Sequence, residues 1–202
     1  MYVGDILAAP VEVEAPEDFD LTGFTTATAT LHTPAGVAIT AGITAVIDPD
    51  GTVAVSFPMD ASLLTVAGVY SIRVRLSNLA GASQSIPQLR FVAQDEASEW
   101  HTLDSIREEW PDAEHIDDPT LWELLEVTRG EVIEFAPVLA VDVPVPDNYR
   151  LGQRMHARNT WNASRVSPDG SAGEGDFVIR PFPLDWHVKQ ILRPKRGKPA
   201  VI

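Results

Sequence analysis

The hydrophobic pattern changes period near the middle of the chain. In the first half, runs rich in Thr, Val and Ile are separated by turn-forming tetrads: Thr33-Pro34-Ala35-Gly36, Asp48-Pro49-Asp50-Gly51 and Asn78-Leu79-Ala80-Gly81. Thr44-Ala45-Val46-Ile47 and Thr52-Val53-Ala54-Val55-Ser56-Phe57 flank the second tetrad and predict a hairpin. The clearest strand is Tyr70 to Ser77, where Tyr70, Ile72, Val74 and Leu76 alternate with Ser71, Arg73, Arg75 and Ser77. One face is apolar and the other wet, so a second sheet must cover the apolar face. Gln88-Leu89-Arg90-Phe91-Val92 closes the region, and short strands at this spacing predict a small β-sandwich over residues 1–95.

From residue 96 the spacing becomes helical. Thr102 is the expected N-cap of a helix carrying Leu103, Ile106 and Trp110, which Pro111 ends. Asp118 is the expected N-cap of a second helix, with Pro119 at its first position and Leu121, Leu124, Leu125, Val132 and Ile133 on one stripe. Gly130 weakens that helix by roughly 1 kcal/mol relative to alanine without interrupting the stripe. A third helix is expected from Pro146-Asp147, with Leu151 and Met155 on its apolar side and Arg150, Arg154 and Arg158 in a cationic row. Ser167 to Gly175 has the composition of a flexible link. The tail that follows, from Asp176 onward, is read as extended; it is apolar, aromatic and basic together, and exposing Phe177, Phe182 and Trp186 to water would be costly. Burial in this subunit or against a partner is the simplest expectation for them.

Charge sharpens this division. The formal net charge of −14 splits into −7 over residues 1–95, −12 over 96–142 and +5 over 143–202. An acidic middle and a basic end suit complementary surfaces on neighbouring copies or other partners. The absence of cysteine excludes disulfide scaffolds and thiol chemistry. No stretch approaches the length of about 18 apolar residues that a membrane span needs, and Met1 to Pro10 lacks the basic start of a secretory signal, so a soluble chain is expected, with no membrane partner.

No catalytic constellation emerges. His115 stands near Glu114, Asp117 and Asp118, but acids before a capped helix are favoured by its dipole, so the structural role is preferred to a metal site. His32, His101, His156 and His187 are scattered, and neither a G-x-S-x-G elbow nor a phosphate-binding G-x-x-x-x-G-K-[ST] is present. Asp48-Pro49-Asp50-Gly51 has its glycine at the wrong offset for an EF-hand, and Asn162-Ala163-Ser164 matches a glycosylation acceptor only by chance. The chain is therefore expected to be no enzyme and to carry no catalytic residue, metal or cofactor. Overall acidity also argues against affinity-providing DNA contacts.

The segment Trp100-His101-Thr102-Leu103 through Asp117-Asp118-Pro119-Thr120-Leu121-Trp122-Glu123-Leu124-Leu125 to Val132-Ile133-Glu134 resembles the head-to-tail connector, or adaptor, proteins of tailed bacteriophages. Asn148-Tyr149-Arg150-Leu151-Gly152-Gln153-Arg154-Met155-His156-Ala157-Arg158 and the tail from Ile179 to Gly197 are similar to the adaptors of actinobacterial siphophages. The front half, through Gly68-Val69-Tyr70-Ser71-Ile72-Arg73-Val74, looks like the Ig-like domains attached to phage structural proteins. The resemblance implies an α+β chain: an Ig-like β-sandwich over 1–95, then a helical adaptor domain over 96–202 with an extended, portal-docking C-terminal tail.

It also implies a structural virion protein of the phage neck. A homo-oligomeric ring, typically of 12 copies, joins the portal to a downstream stopper or tail-completion protein, and DNA passes through its channel without specific binding. The docking element is then the tail, with Arg180, Phe182, Trp186, Lys189, Arg193, Lys195, Arg196 and Lys198 as partner-binding residues. Removing residues 176–202 is expected to abolish head-to-tail joining while leaving a folded protein. The alternative is a phage surface or decoration module whose Ig-like domain binds a host-surface ligand while the helices anchor it.

Overall fold

A computed structural model describes residues 1–15, 23–48, 52–59, 62–140, 143–164 and 183–193. The chain is mixed α and β, and it divides into two compact units, Met1–Glu96 and Ala97–Ile202.

The first unit is built of antiparallel strands. β1 (Val11–Glu14), β5 (Thr52–Ser56) and β4 (Thr44–Ile47) form a three-stranded sheet in that order. In the second sheet, β3 (Ala38–Ile39) pairs β2 (Thr26–His32), which pairs the ten-residue β6 (Gly68–Ser77). The other edge of β6 is shared: β8 (Leu89–Ala93) runs along its first half and β7 (Ser83–Ser85) along its second. The period-2 pattern places its apolar residues as expected: Tyr70, Ile72, Val74 and Leu76 are buried and share one core with Leu31 from β2 and Val13, Val53 and Val55 from the other sheet. The expected hairpin forms with Ile47 opposite Val53, and Asp48 N–H bonds Thr52 O at 2.9 Å; its turn residues 49–51 lie outside the described residues. At the other two turns, Gly36 and Gly81 take φ of 79° and 84°, the left-handed region that favours glycine.

In the second unit, α1 (Leu103–Glu109) begins at Thr102, and Ser105 completes a reciprocal capping box. Pro111 ends α1 and opens a 3-10 turn, Pro111–His115, which buries Ala113. α2 (Asp118–Phe135) is capped by Asp117 rather than Asp118: the Asp117 carboxylate accepts Thr120 N–H at 3.0 Å, while Asp118 pairs with Arg107 at 2.7 Å. Leu121, Leu124, Leu125 and Val132 are buried as expected, whereas Ile133 is half exposed and Thr128 takes the inward place, satisfied by the Leu124 carbonyl at 2.8 Å.

α3 (Asp147–Ser164) departs most from expectation. Its buried face is Tyr149, Gly152, Gln153, His156, Ala157 and Thr160; Leu151 and Met155 are only half-buried. Gln153 and His156 find partners from distant segments, whereas Thr160 Oγ1 has none among the described residues. Gln153 donates to the Leu125 carbonyl at 3.0 Å and accepts His101 N–H at 3.3 Å, and His156 bonds the Glu131 carboxylate. The tail also corrects the reading. Residues Trp186–Leu192, expected within an extended tail, form a helix, α4, packed on α3 and α2.

Candidate functional site

Because α4 has only seven residues, packing and capping rather than intrinsic propensity must hold it. Asp185 is its N-cap and accepts Val188 N–H at 2.8 Å; its other carboxylate oxygen accepts the Asn159 amide at 2.6 Å, which fastens the start of α4 to α3. At the far end the Asn148 amide donates to the Ile191 carbonyl at 3.0 Å, satisfying a group that a helix terminus leaves unpaired. Val188 and Leu192 are buried in a core with Trp100, Val132, Ala136 and Tyr149. Gly152 admits Leu192: a Cβ there would lie 2.8 Å from Leu192 Cδ2.

With Val188 and Leu192 turned inward, Trp186, Lys189 and the C-cap residue Arg193, at i, i+3 and i+7, are exposed along one side of α4. Trp186 is 63% exposed, with His187 edge-on at 5.3 Å. The Lys189 ammonium and Arg193 guanidinium lie 5.9 Å and 4.7 Å from the ring centroid of Phe135, the last residue of α2. Such cation–π contacts contribute about 0.5–1 kcal/mol at exposed sites. Two of the expected docking residues are thus brought together over one aromatic ring, with Trp186 exposed on the same short helix. Arg180, Phe182, Lys195, Arg196 and Lys198 lie outside the described residues, as does Phe177.

Trp186, expected to need cover, finds none among the described residues of its own unit. Conversely, removing residues 176–202 would take away Val188 and Leu192 and open the core, so the tail is not separable in the way expected. Sequence reasoning missed Phe135 and the two asparagines. Phe135 follows the apolar stripe of α2 by one turn, and that spacing was the available signal; Asn148 and Asn159 gave none, because their partners are remote in sequence.

α1, the 3-10 turn and α2 present the opposite charge. Residues 102–136 hold eleven carboxylates against Arg107 and Arg129. Both arginines are engaged, Arg107 with Asp118 and Arg129 with Glu126 at 3.4 Å and the Trp100 ring at 5.5 Å. Asp117 and Asp118 therefore serve as cap and ion-pair partner. The arginine row on α3 is divided in role: Arg154 pairs with Glu109 on α1, Arg158 is exposed, and Arg150 is half-buried.

His101 is buried behind α1, with its ring nitrogens 3.1 Å from the Arg150 carbonyl and 3.3 Å from Ser105 Oγ. Burial lowers its pKa from the ordinary 6.5; Arg150 and Arg154 push the same way, against Glu109 and the backbone carbonyl. Among the described residues, no cluster of three or more His, Asp or Glu side chains is placed to hold a metal, and no helix is long and apolar enough to cross a membrane. No protein family, curated protein or solved structure matches this chain.

Proposed function

We propose that the chain is a non-enzymatic head-to-tail connector of a tailed bacteriophage, one subunit of a neck ring between portal and tail. The observation that carries this reading is the pairing of two unlike surfaces on one helical unit: the exposed Trp186 stripe with Lys189 and Arg193, and the carboxylate-rich surface of α1 and α2. A surface that complements a different surface of an identical copy makes a heterologous contact, and such contacts close into rings when the rotation allows. Exposed tryptophan beside cations is also the composition that protein interfaces favour. The remaining carboxylates suit a channel wall that repels DNA and lets it slide.

The β unit fits an Ig-like sandwich in this reading. Two antiparallel sheets share one core, and the Tyr70 hydroxyl donates to the Val66 carbonyl at 3.0 Å and accepts Val66 N–H at 3.2 Å. A buried tyrosine bonded to backbone a few residues upstream is the corner found in that fold.

The test is binding to purified portal by the full chain and by a Trp186→Ala, Lys189→Glu, Arg193→Glu variant. Because all three side chains are exposed, the variant should stay folded, melting a few degrees below the parent through the lost cation–π contacts, and lose portal binding and self-assembly by at least tenfold. Unchanged assembly and portal binding in a folded variant would exclude the α4 stripe as the docking element. A truncation after Arg193 asks the same of Lys195, Arg196 and Lys198 while leaving α4 in place.

A further inference from the structure

Residues 1–96 contain ten aspartates and glutamates up to Asp95, then Glu96, and only three lysines or arginines: Arg73, Arg75 and Arg90. The register puts all three on the outer face of the five-stranded sheet. Across that face Thr30 stands opposite Arg73, Thr28 opposite Arg75, and Ser85 opposite Arg75 on the other side. No strand position of this face holds a carboxylate, although the unit as a whole is strongly acidic. Arg73 bonds Gln88 Oε1 at 3.3 Å and Arg75 bonds Ser83 Oγ at 2.7 Å, and neither pairs with a carboxylate among the described residues.

Arg73, Arg75 and Gln88 line a concavity of about 540 Å³, together with Thr28, Thr30, His32 and Ser85. This volume lies within the range of about 300–1,000 Å³ typical of ligand sites. His32 stands on the same face, half-buried; its Nδ1 is buried and has no hydrogen-bond partner among the described residues.

We infer that this face binds an acidic glycan, with Arg73 and Arg75 taking its oxyanions and the threonine, serine, glutamine and histidine groups taking its hydroxyls. Two residues along a strand put the guanidinium stems about 6–7 Å apart on one side, and each guanidinium presents a planar fork of donors suited to carboxylate or phosphate oxygens. The lining contains no Phe, Tyr or Trp, and its one ring, His32, is half-buried, so it lacks the stacking platform of a single-stranded nucleic-acid site. Its only apolar members, Val74 and Ile86, are buried, so it also lacks the exposed apolar centre of a protein interface. Hydroxyls and amides around two arginines match a polyhydroxylated anion. The inference is independent of the neck reading and stands or falls without it.

The experiment titrates the full chain with trigalacturonate, its neutral methyl ester and a glycerol-phosphate oligomer, read by calorimetry and by amide shifts of β2 and β6. Saturable binding of an acidic probe is expected, weakened at least tenfold by Arg73→Gln with Arg75→Gln and unchanged by Arg158→Gln, at an exposed position of α3. Preference for trigalacturonate identifies a carboxylate ligand, and preference for the phosphate oligomer a phosphate one. Both arginines are exposed, so equal melting temperatures separate lost binding from lost folding. Equal binding of the methyl ester, binding unaffected by the double variant, or no binding at millimolar probe overturns the inference. So does self-association that the double variant abolishes, because the face would then belong to a second copy.

Discussion

The β unit and the helical unit bury their interiors by different means. In the first, Tyr70, Ile72, Val74, Leu76, Leu31, Val53 and Val55 fill the space between sheets. The Tyr70 hydroxyl in that cluster is paired, and Gln94, just after β8, is the one buried polar residue among the described residues of the unit. In the second, Thr128, Gln153, His156 and Thr160 are all 2% exposed or less, and α3 meets α2 through side-chain hydrogen bonds as much as through apolar contact. An apolar core tolerates any arrangement of about the right volume. A buried amide accepts one partner geometry and is costly when misplaced. The second kind of interior fixes the rotation of α3, and with it the seat of α4 and the Trp186 stripe.

The comparison can be broken from either side. The largest effect is expected from Ile72→Ala, which leaves a cavity between the sheets and should cost about 2–5 kcal/mol in chemical denaturation. A loss below 1 kcal/mol would mean that the β core is not close-packed. Gln153→Ala strips a partner from the Leu125 carbonyl and from His101 N–H, and about 1–3 kcal/mol should be lost. If Gln153→Leu proves as stable as the parent, the polar interior does not position α3, and the contrast between the units collapses.

Asp117→Ala should cost about 1 kcal/mol by unpairing Thr120 N–H, and Asp118→Ala less, because the Asp118 side chain is half exposed and its ion pair is screened by solvent. The reverse ranking would restore Asp118 as the cap. This pair shows what the sequence could and could not convey. Two adjacent acids before Pro119 announce a helix start, but which one caps depends on where Arg107 reaches from α1.

The same holds at larger scale. Strand β6 was legible because its inward residues are apolar and alternate; no information from elsewhere in the chain was needed. The inward face of α3 was not, because Gln153, His156 and Thr160 look like a solvent face until Leu125, His101 and Glu131 are brought beside two of them. Leu151 and Met155 were chosen for the core by chemistry alone, and both remain half-exposed. Helix α4 was hidden for a related reason. Seven residues do not make a stable helix, and the contacts that hold it, from Asn159, Asn148 and the gap at Gly152, come from 26 to 43 residues away. The grouping of Trp186, Lys189 and Arg193 was legible as composition, though not as a surface.

The smallest expected effect is pH dependence. Folded His101 holds a proton less readily than the unfolded side chain, whose ordinary value is 6.5. The unfolded chain therefore takes up the extra proton first as the medium is acidified. Its contribution is complete above pH 6.5 and declines as pH falls below that value toward the folded pKa. His101→Gln should flatten the acid limb of a stability–pH curve in that window. An identical limb in the variant would assign the acid sensitivity to other groups.

The most direct test of the central claim is the mass of the full chain in solution, alone and with purified portal, by mass photometry. The account predicts a discrete closed assembly of the order of twelve copies, formed or stabilised by portal and lost in the Trp186→Ala, Lys189→Glu, Arg193→Glu variant. A monomer that stays monomeric and never associates with portal would contradict it.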